Sequence, residues 1–142
     1  MEKIKSFTID HDIHSIGFYL SGSVNDIFTY DLRFKTPNGG DYMGNAEMHT
    51  IEHLFATVVR NSTQKRKIVY FGPMGCRTGF YLLLLNIDYN EAKALVIDCI
   101  KKCLDLREIP GNSRKECGNY LEHDLDGAKK LLREYLEHIT KN

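Results

Sequence analysis

Asp26-Ile27-Phe28-Thr29-Tyr30-Asp31-Leu32-Arg33-Phe34 alternates without a break, with Phe28, Tyr30, Leu32 and Phe34 on one face and Ile27, Thr29, Asp31 and Arg33 on the other. A side-chain period of two with one aromatic-rich face predicts a half-buried strand. Pro37-Asn38-Gly39-Gly40 breaks it into a loop. After Asn45 the spacing becomes helical, and it predicts a helix from a cap at Asn45 to about Asn61. Lys67 to Phe71 and Thr78 to Ile87 read as strands, joined by the tight turn Gly72-Pro73-Met74-Gly75. Asp88-x-x-Glu91 is a capping box with Asp in place of Ser or Thr, and it starts a second helix ending near Leu106. A loop from Pro110 to Asp124 follows. Asp126 then caps a last helix with the stripe Ala128, Leu131, Leu132, Tyr135, Leu136 and Ile139. Elements in this order predict an α+β fold, a mainly antiparallel sheet packed against about three helices.

With 142 residues, the chain suits a single domain, 1–142, with a real core. Lys plus Arg and Asp plus Glu number 19 each, so no net field favours nucleic acid or an anionic membrane. Met1-Glu2-Lys3-Ile4-Lys5 lacks an apolar signal region, and the apolar run Phe80–Leu85 is far too short to span a bilayer. A cytoplasmic location is expected. Reduced thiols are expected with it, because the four cysteines do not form a disulfide scaffold. Cys99 and Cys103 fall on the apolar stripe of the second helix and read as core. Cys76 and Cys117 lie in glycine-bearing, non-periodic segments, where packing gives no reason for a thiol.

The first helix carries His49-Thr50-Ile51-Glu52-His53, which reads H-x-x-E-H. Residues four apart share a helix face, so His49 and His53 can hold one metal ion with Glu52 beside them. A solvated face carrying two histidines and a glutamate for no chemical reason is the bland alternative. A third ligand can come from any Cys, His, Asp or Glu that the fold brings close. Cys117, in Glu116-Cys117-Gly118, is the strongest candidate. Three protein ligands would leave one position open, as catalytic sites require. Cys76 sits between Gly75 and Gly79 and is followed by Arg77, whose charge would favour a usable acid/base or nucleophile.

His49-Thr50-Ile51-Glu52-His53-Leu54, Pro73-Met74-Gly75-Cys76-Arg77-Thr78-Gly79-Phe80-Tyr81 and Glu116-Cys117-Gly118 together closely resemble the S-ribosylhomocysteine lyase, or LuxS, family. Ser6-Phe7, Asp10-His11, Asp31-Leu32-Arg33-Phe34, Pro37-Asn38, and His123-Asp124-Leu125 with Gly127-Ala128-Lys129 match as well, in the family's order and over nearly the whole chain. The resemblance implies a metal held by His49, His53 and Cys117. Iron(II) is the expected ion, one per subunit, with zinc or cobalt as substitutes. It implies Glu52 and Cys76 as the acid/base groups, and Ser6, His11 and Arg33 as substrate contacts. It further implies a homodimer whose pockets are lined by both chains. The implied reaction cleaves S-ribosylhomocysteine to homocysteine and 4,5-dihydroxy-2,3-pentanedione, the autoinducer-2 precursor.

Tyr70 and Gly72 stand where the family usually has an acidic residue and a serine, so its anchor for the amino-acid end of the substrate does not carry over. Ile16-Gly17-Phe18-Tyr19-Leu20 and Thr36 also depart from the family pattern. The rival enzyme is an inverted-zincin-type metallopeptidase, in which Glu52 would activate a water and Cys76 would have no task. A small domain with a structural ion is the non-enzymatic alternative.

Overall fold

A computed structural model describes residues 1–141. Four strands, β1 (Gly17–Val24), β2 (Ile27–Arg33), β3 (Ile68–Pro73) and β4 (Gly79–Leu85), form one sheet in the order β1-β2-β4-β3. All three pairings are antiparallel. Helices α1 (Asn45–Arg60), α2 (Tyr89–Asp105) and α3 (Leu125–Thr140) complete the α+β architecture.

The alternation in β2 and β4 builds the core. Tyr30, Leu32, Phe80, Leu82 and Leu84 are all fully buried, in one cluster with Ile51, Leu54 and Phe55 of α1. Each such side chain contributes roughly 1.5–3 kcal/mol by leaving water. The polar tips inside are satisfied: the Tyr30 hydroxyl donates to Ile87 O at 2.6 Å and the Tyr135 hydroxyl to Gly17 O at 2.9 Å. Cys99 and Cys103 are buried on α2, and burial pushes both thiols up to about 12. These two are core residues.

β1 is not predicted by the sequence pattern. Its Ser21-Gly22-Ser23 stretch has no alternation, it is an edge strand, and its register slips between Leu20 and Gly22. The turn holds it in place: Asn25 and Asp26 both take positive φ, 48° and 67°, the geometry of a two-residue hairpin turn with strand-compatible twist. Asp26 is therefore a turn residue, not the first strand residue.

Two helix caps also shift. Asn45 is the first residue of α1, and Gly44 precedes it with no side-chain cap. For α3 the cap is Asp124, whose carboxylate accepts from Gly127 N at 2.9 Å. Asp126 instead lies in the first turn, where its charge suits the helix dipole. Asp88 caps α2 as expected, accepting from Glu91 N at 2.9 Å.

The outer face of β2 departs from a solvated strand face. Asp31 is 0% exposed and Arg33 1% exposed. The N-terminal segment folds over this face: His14 Nε2 sits 3.0 Å from Asp31 Oδ2. Lys5 and Ser6 line an open cavity of about 390 Å³ with Tyr70 and Tyr81.

Candidate active site

Two groups of functional side chains emerge, one on α1 and its facing loop, the other around the β3–β4 turn. In the first, the buried residues Met48, Ile51, Leu54 and Phe55 fix the rotation of α1. His49 and His53 thereby point toward the loop between α2 and α3, with their ring centroids 4.7 Å apart. Each ring is oriented through its far nitrogen. His49 Nδ1–H donates to Glu122 O and His53 Nδ1–H donates to Pro110 O, both at 2.8 Å. A carbonyl only accepts, so the protons sit on Nδ1 and the Nε2 lone pairs are free to bind a metal. Gly111, at φ +68°, holds the left-handed backbone that follows the Pro110 carbonyl.

Cys117 meets these rings. Its Sγ lies 3.4 Å from His49 Nε2 and 3.8 Å from His53 Nε2. A short turn presents it, with Cys117 N and Glu116 N both donating to Ser113 O. Two imidazole nitrogens and a thiol converging on one point suit a zinc-like or ferrous ion. Glu52 is half-buried on the same helix, and its carboxylate has no hydrogen-bond partner among the described residues.

His123 completes the cluster, and sequence reasoning missed its place there. The ligand atoms of His49, His53, Cys117 and His123 all lie within 4.8 Å of one another. His123 stacks on His49 with centroids 4.0 Å apart, and its Nδ1 lies 3.0 Å from Thr50 Oγ1. Burial, and then the neighbouring His49 and His53, lower its pKa below the usual histidine range. Its six-residue separation from Cys117 was the available signal.

The second group is a chain of hydrogen bonds ending on Cys76. Asp31 accepts from Arg33 Nε at 3.1 Å and from Nη2 at 2.7 Å, while Arg33 Nη1 donates to Thr78 Oγ1 at 2.8 Å. Thr78 Oγ1 is also 3.0 Å from Cys76 Sγ. A guanidinium has no lone pair to offer, so the Thr78 hydroxyl accepts from Arg33 and keeps its own proton for the sulfur whenever Cys76 is a thiolate, which can only accept. Arg33 thus acts on Cys76 through Thr78. Arg77, by contrast, turns away: Nη1 donates to Met43 O at 3.3 Å, and the guanidinium lies over the Tyr42 ring. Arg77 takes φ +61°, a strained conformation for a non-glycine residue beside the thiol.

Ser6 lines one cavity with Tyr81, whose phenol is raised by burial first and then by Asp31. His11 Nδ1–H donates to Ile9 O at 2.8 Å, and its ring meets His14 edge-on at 6.4 Å. Ser6, His11, Arg33 and Cys76 therefore share one neighbourhood. Among the described residues, no hydrogen bond or ion pair joins them to the His49–His53–Cys117 cluster. The link is backbone: Met43 N donates to Arg77 O at 3.0 Å, tying the Cys76 turn to the start of α1. Tyr70 and Gly72 are coupled, because a Cβ at position 72 would collide with the Tyr70 phenol.

A family model described as S-Ribosylhomocysteinase (LuxS) matches residues 4–142. A Borreliella burgdorferi S-ribosylhomocysteine lyase is 50% identical over 147 residues, covering 96% of this chain and 92% of the relative. One from Borreliella afzelii is 48% identical with the same coverage, 96% and 92%. One from Clostridium acetobutylicum is 48% identical over 100% of this chain and 96% of its own length. The chain belongs to the S-ribosylhomocysteinase (LuxS) family.

Proposed function

We propose that this chain is a metal-dependent carbon–sulfur lyase that cleaves S-ribosylhomocysteine to homocysteine and 4,5-dihydroxy-2,3-pentanedione. The observation that carries the reading is the pairing of an H-x-x-E-H helix and cysteine donor with a separate, hydrogen-bonded thiol at Cys76. A metallopeptidase has a task for the first and none for the second.

The reaction explains the inventory. A thioether bond breaks heterolytically when a carbanion forms on the neighbouring carbon. In the open-chain sugar the carbonyl is at C1 and the sulfur is on C5. The carbonyl moves to C2 and then to C3, each move a proton taken from carbon and returned next door. Removal of the C4 proton then expels the homocysteine thiolate. A bound divalent ion supplies Lewis-acid stabilisation of the oxygens that gain charge.

His49, His53 and Cys117 hold that ion. Iron(II) is the physiological ion, with zinc or cobalt as substitutes, and the mixed nitrogen and sulfur donors are compatible with each. Cys76, as thiolate, takes and returns protons during the isomerisations. Glu52, next to His53 on the same helix and without a hydrogen-bond partner among the described residues, takes part in the transfers that include the elimination. Ser6, His11 and Arg33 serve the substrate end of the site, Arg33 also through its bond to Thr78.

The working unit is a homodimer in the cytoplasm. No side-chain hydrogen bond or ion pair joins its two functional groups among the described residues, and the outer sheet face exposes Val24, Tyr70 and Leu85, which supports a second copy covering it. Incubating the iron(II)-loaded protein with S-ribosylhomocysteine is expected to release free thiol. Peptide cleavage in place of thiol release would overturn the reading.

A further inference from the structure

We infer that His123 is not a fourth metal ligand but a hydrogen-bond donor, carrying its proton on Nε2 and aiming it into the ligand set, where a substrate oxygen binds. Distance alone does not separate the two roles. Cys117 Sγ is 3.9 Å from His123 Nε2 and 3.8 Å from His53 Nε2. The proton count does separate them.

Thr50 Oγ1 has two partners: it accepts from Asp124 N at 2.9 Å and lies 3.0 Å from His123 Nδ1. A hydroxyl has one proton to give and two lone pairs. The Asp124 amide can only donate, so it takes a lone pair. Thr50 is fully buried, and its hydroxyl makes no bond to a helix carbonyl among the described residues. The acceptor left for its proton is His123 Nδ1. A proton on Nδ1, in a neutral or a charged ring, would make the hydroxyl accept twice and bury its own hydrogen unpaired, which native interiors avoid. Nδ1 therefore accepts, and Nε2 carries the hydrogen.

His49 and His53 have the opposite partners. Their Nδ1 atoms face the Glu122 and Pro110 carbonyls, which compel Nδ1–H and free Nε2 for the metal. Three rings converge, and the groups behind them sort two into ligands and one into a donor. The fourth side of the centre then stays available, with a fixed N–H in place for a carbonyl or enediolate oxygen of an open-chain sugar. Such a donor stabilises the charge that grows on that oxygen.

The substrate part rests on the lyase reading above; the tautomer does not. Long-range proton–nitrogen spectra of the zinc-loaded protein with ¹⁵N-labelled histidine read it directly. His49 and His53 are expected to show Nδ1–H with a metal-shifted Nε2, and His123 an Nε2–H with an unmetallated Nδ1. A metal-shifted Nε2 on His123 would overturn the inference. In the His123→Ala variant, cobalt is expected to bind at one per chain with its sulfur charge-transfer band intact. Thiol release from S-ribosylhomocysteine is expected to fall about 10²–10³-fold, the loss typical of one such donor. Loss of the cobalt band, or unchanged thiol release, would refute the donor role. If the wild type released no thiol, the lyase reading would fail while the spectra still decided the tautomer.

Discussion

Thr78→Val tests the hydrogen-bond chain to Cys76 with little change of shape. Thr78 is 1% exposed, and its carbonyl accepts from Phe34 N at 2.8 Å and Lys35 N at 2.9 Å, bonds that the substitution leaves alone. Only the hydroxyl is lost. It receives Arg33 Nη1 at 2.8 Å and lies 3.0 Å from Cys76 Sγ, to which it donates when the sulfur is a thiolate. Arg33 keeps both bonds to Asp31, so the guanidinium stays in place with one buried donor unmatched. That costs about 1–3 kcal/mol of stability, or a fall in Tm of roughly 3–10 °C for a domain of this size. A hydrogen bond to a charged group contributes about 1.5–3 kcal/mol, so losing it from the thiolate lowers kcat/KM by roughly 10–150-fold. Thiol release and the rate of Cys76 alkylation at neutral pH are the assays, with Thr78→Ser as the rescue. Wild-type turnover and alkylation in Thr78→Val would refute the relay.

Gly72→Ser alone is expected to destabilise the β3–β4 hairpin by displacing the Tyr70 ring. Gly72→Ser with Tyr70→Asp should recover most of the loss, and thermal melts of the two single variants and the pair measure this non-additivity. Burial raises the Cys99 and Cys103 thiols from 9.0 to about 12. The unfolded chain thus loses these protons first as pH rises, so their contribution is complete below pH 9 and is lost toward pH 12. Denaturant unfolding across that range should show the fall, and Cys99→Ala should flatten it. Leu85→Glu places a charge on the outer sheet face, where Leu85 is 42% exposed. It should shift sedimentation from dimer toward monomer, and an unchanged dimer would argue against that face as the interface.

The helices and the strands β2 to β4 were legible because their apolar spacing is undisturbed. β1 was not, because serines and glycines at an edge erase the period. Its turn residues, Asn25-Asp26, were the surviving signal. Asp31 and Arg33 sit on the face that alternation assigned them. Their burial follows from the N-terminal segment lying over that face, a long-range contact with no local signature. The donors His49, His53 and Cys117 were readable as types at a helical spacing plus a loop thiol. His123 and Thr78 were not, because their roles rest on which atom faces which partner. Arg77 shows the reverse error: adjacency to Cys76 suggested an electrostatic partner, but its positive φ and its bond to Met43 take the charge elsewhere.

The most direct test measures homocysteine released from S-ribosylhomocysteine and bound metal on the same samples of wild type, Cys76→Ala and Cys117→Ser. The account expects turnover with one metal per chain in the wild type, full metal but no homocysteine in Cys76→Ala, and loss of both in Cys117→Ser. Homocysteine released at the wild-type rate by Cys76→Ala, or tight metal binding by Cys117→Ser, would contradict it.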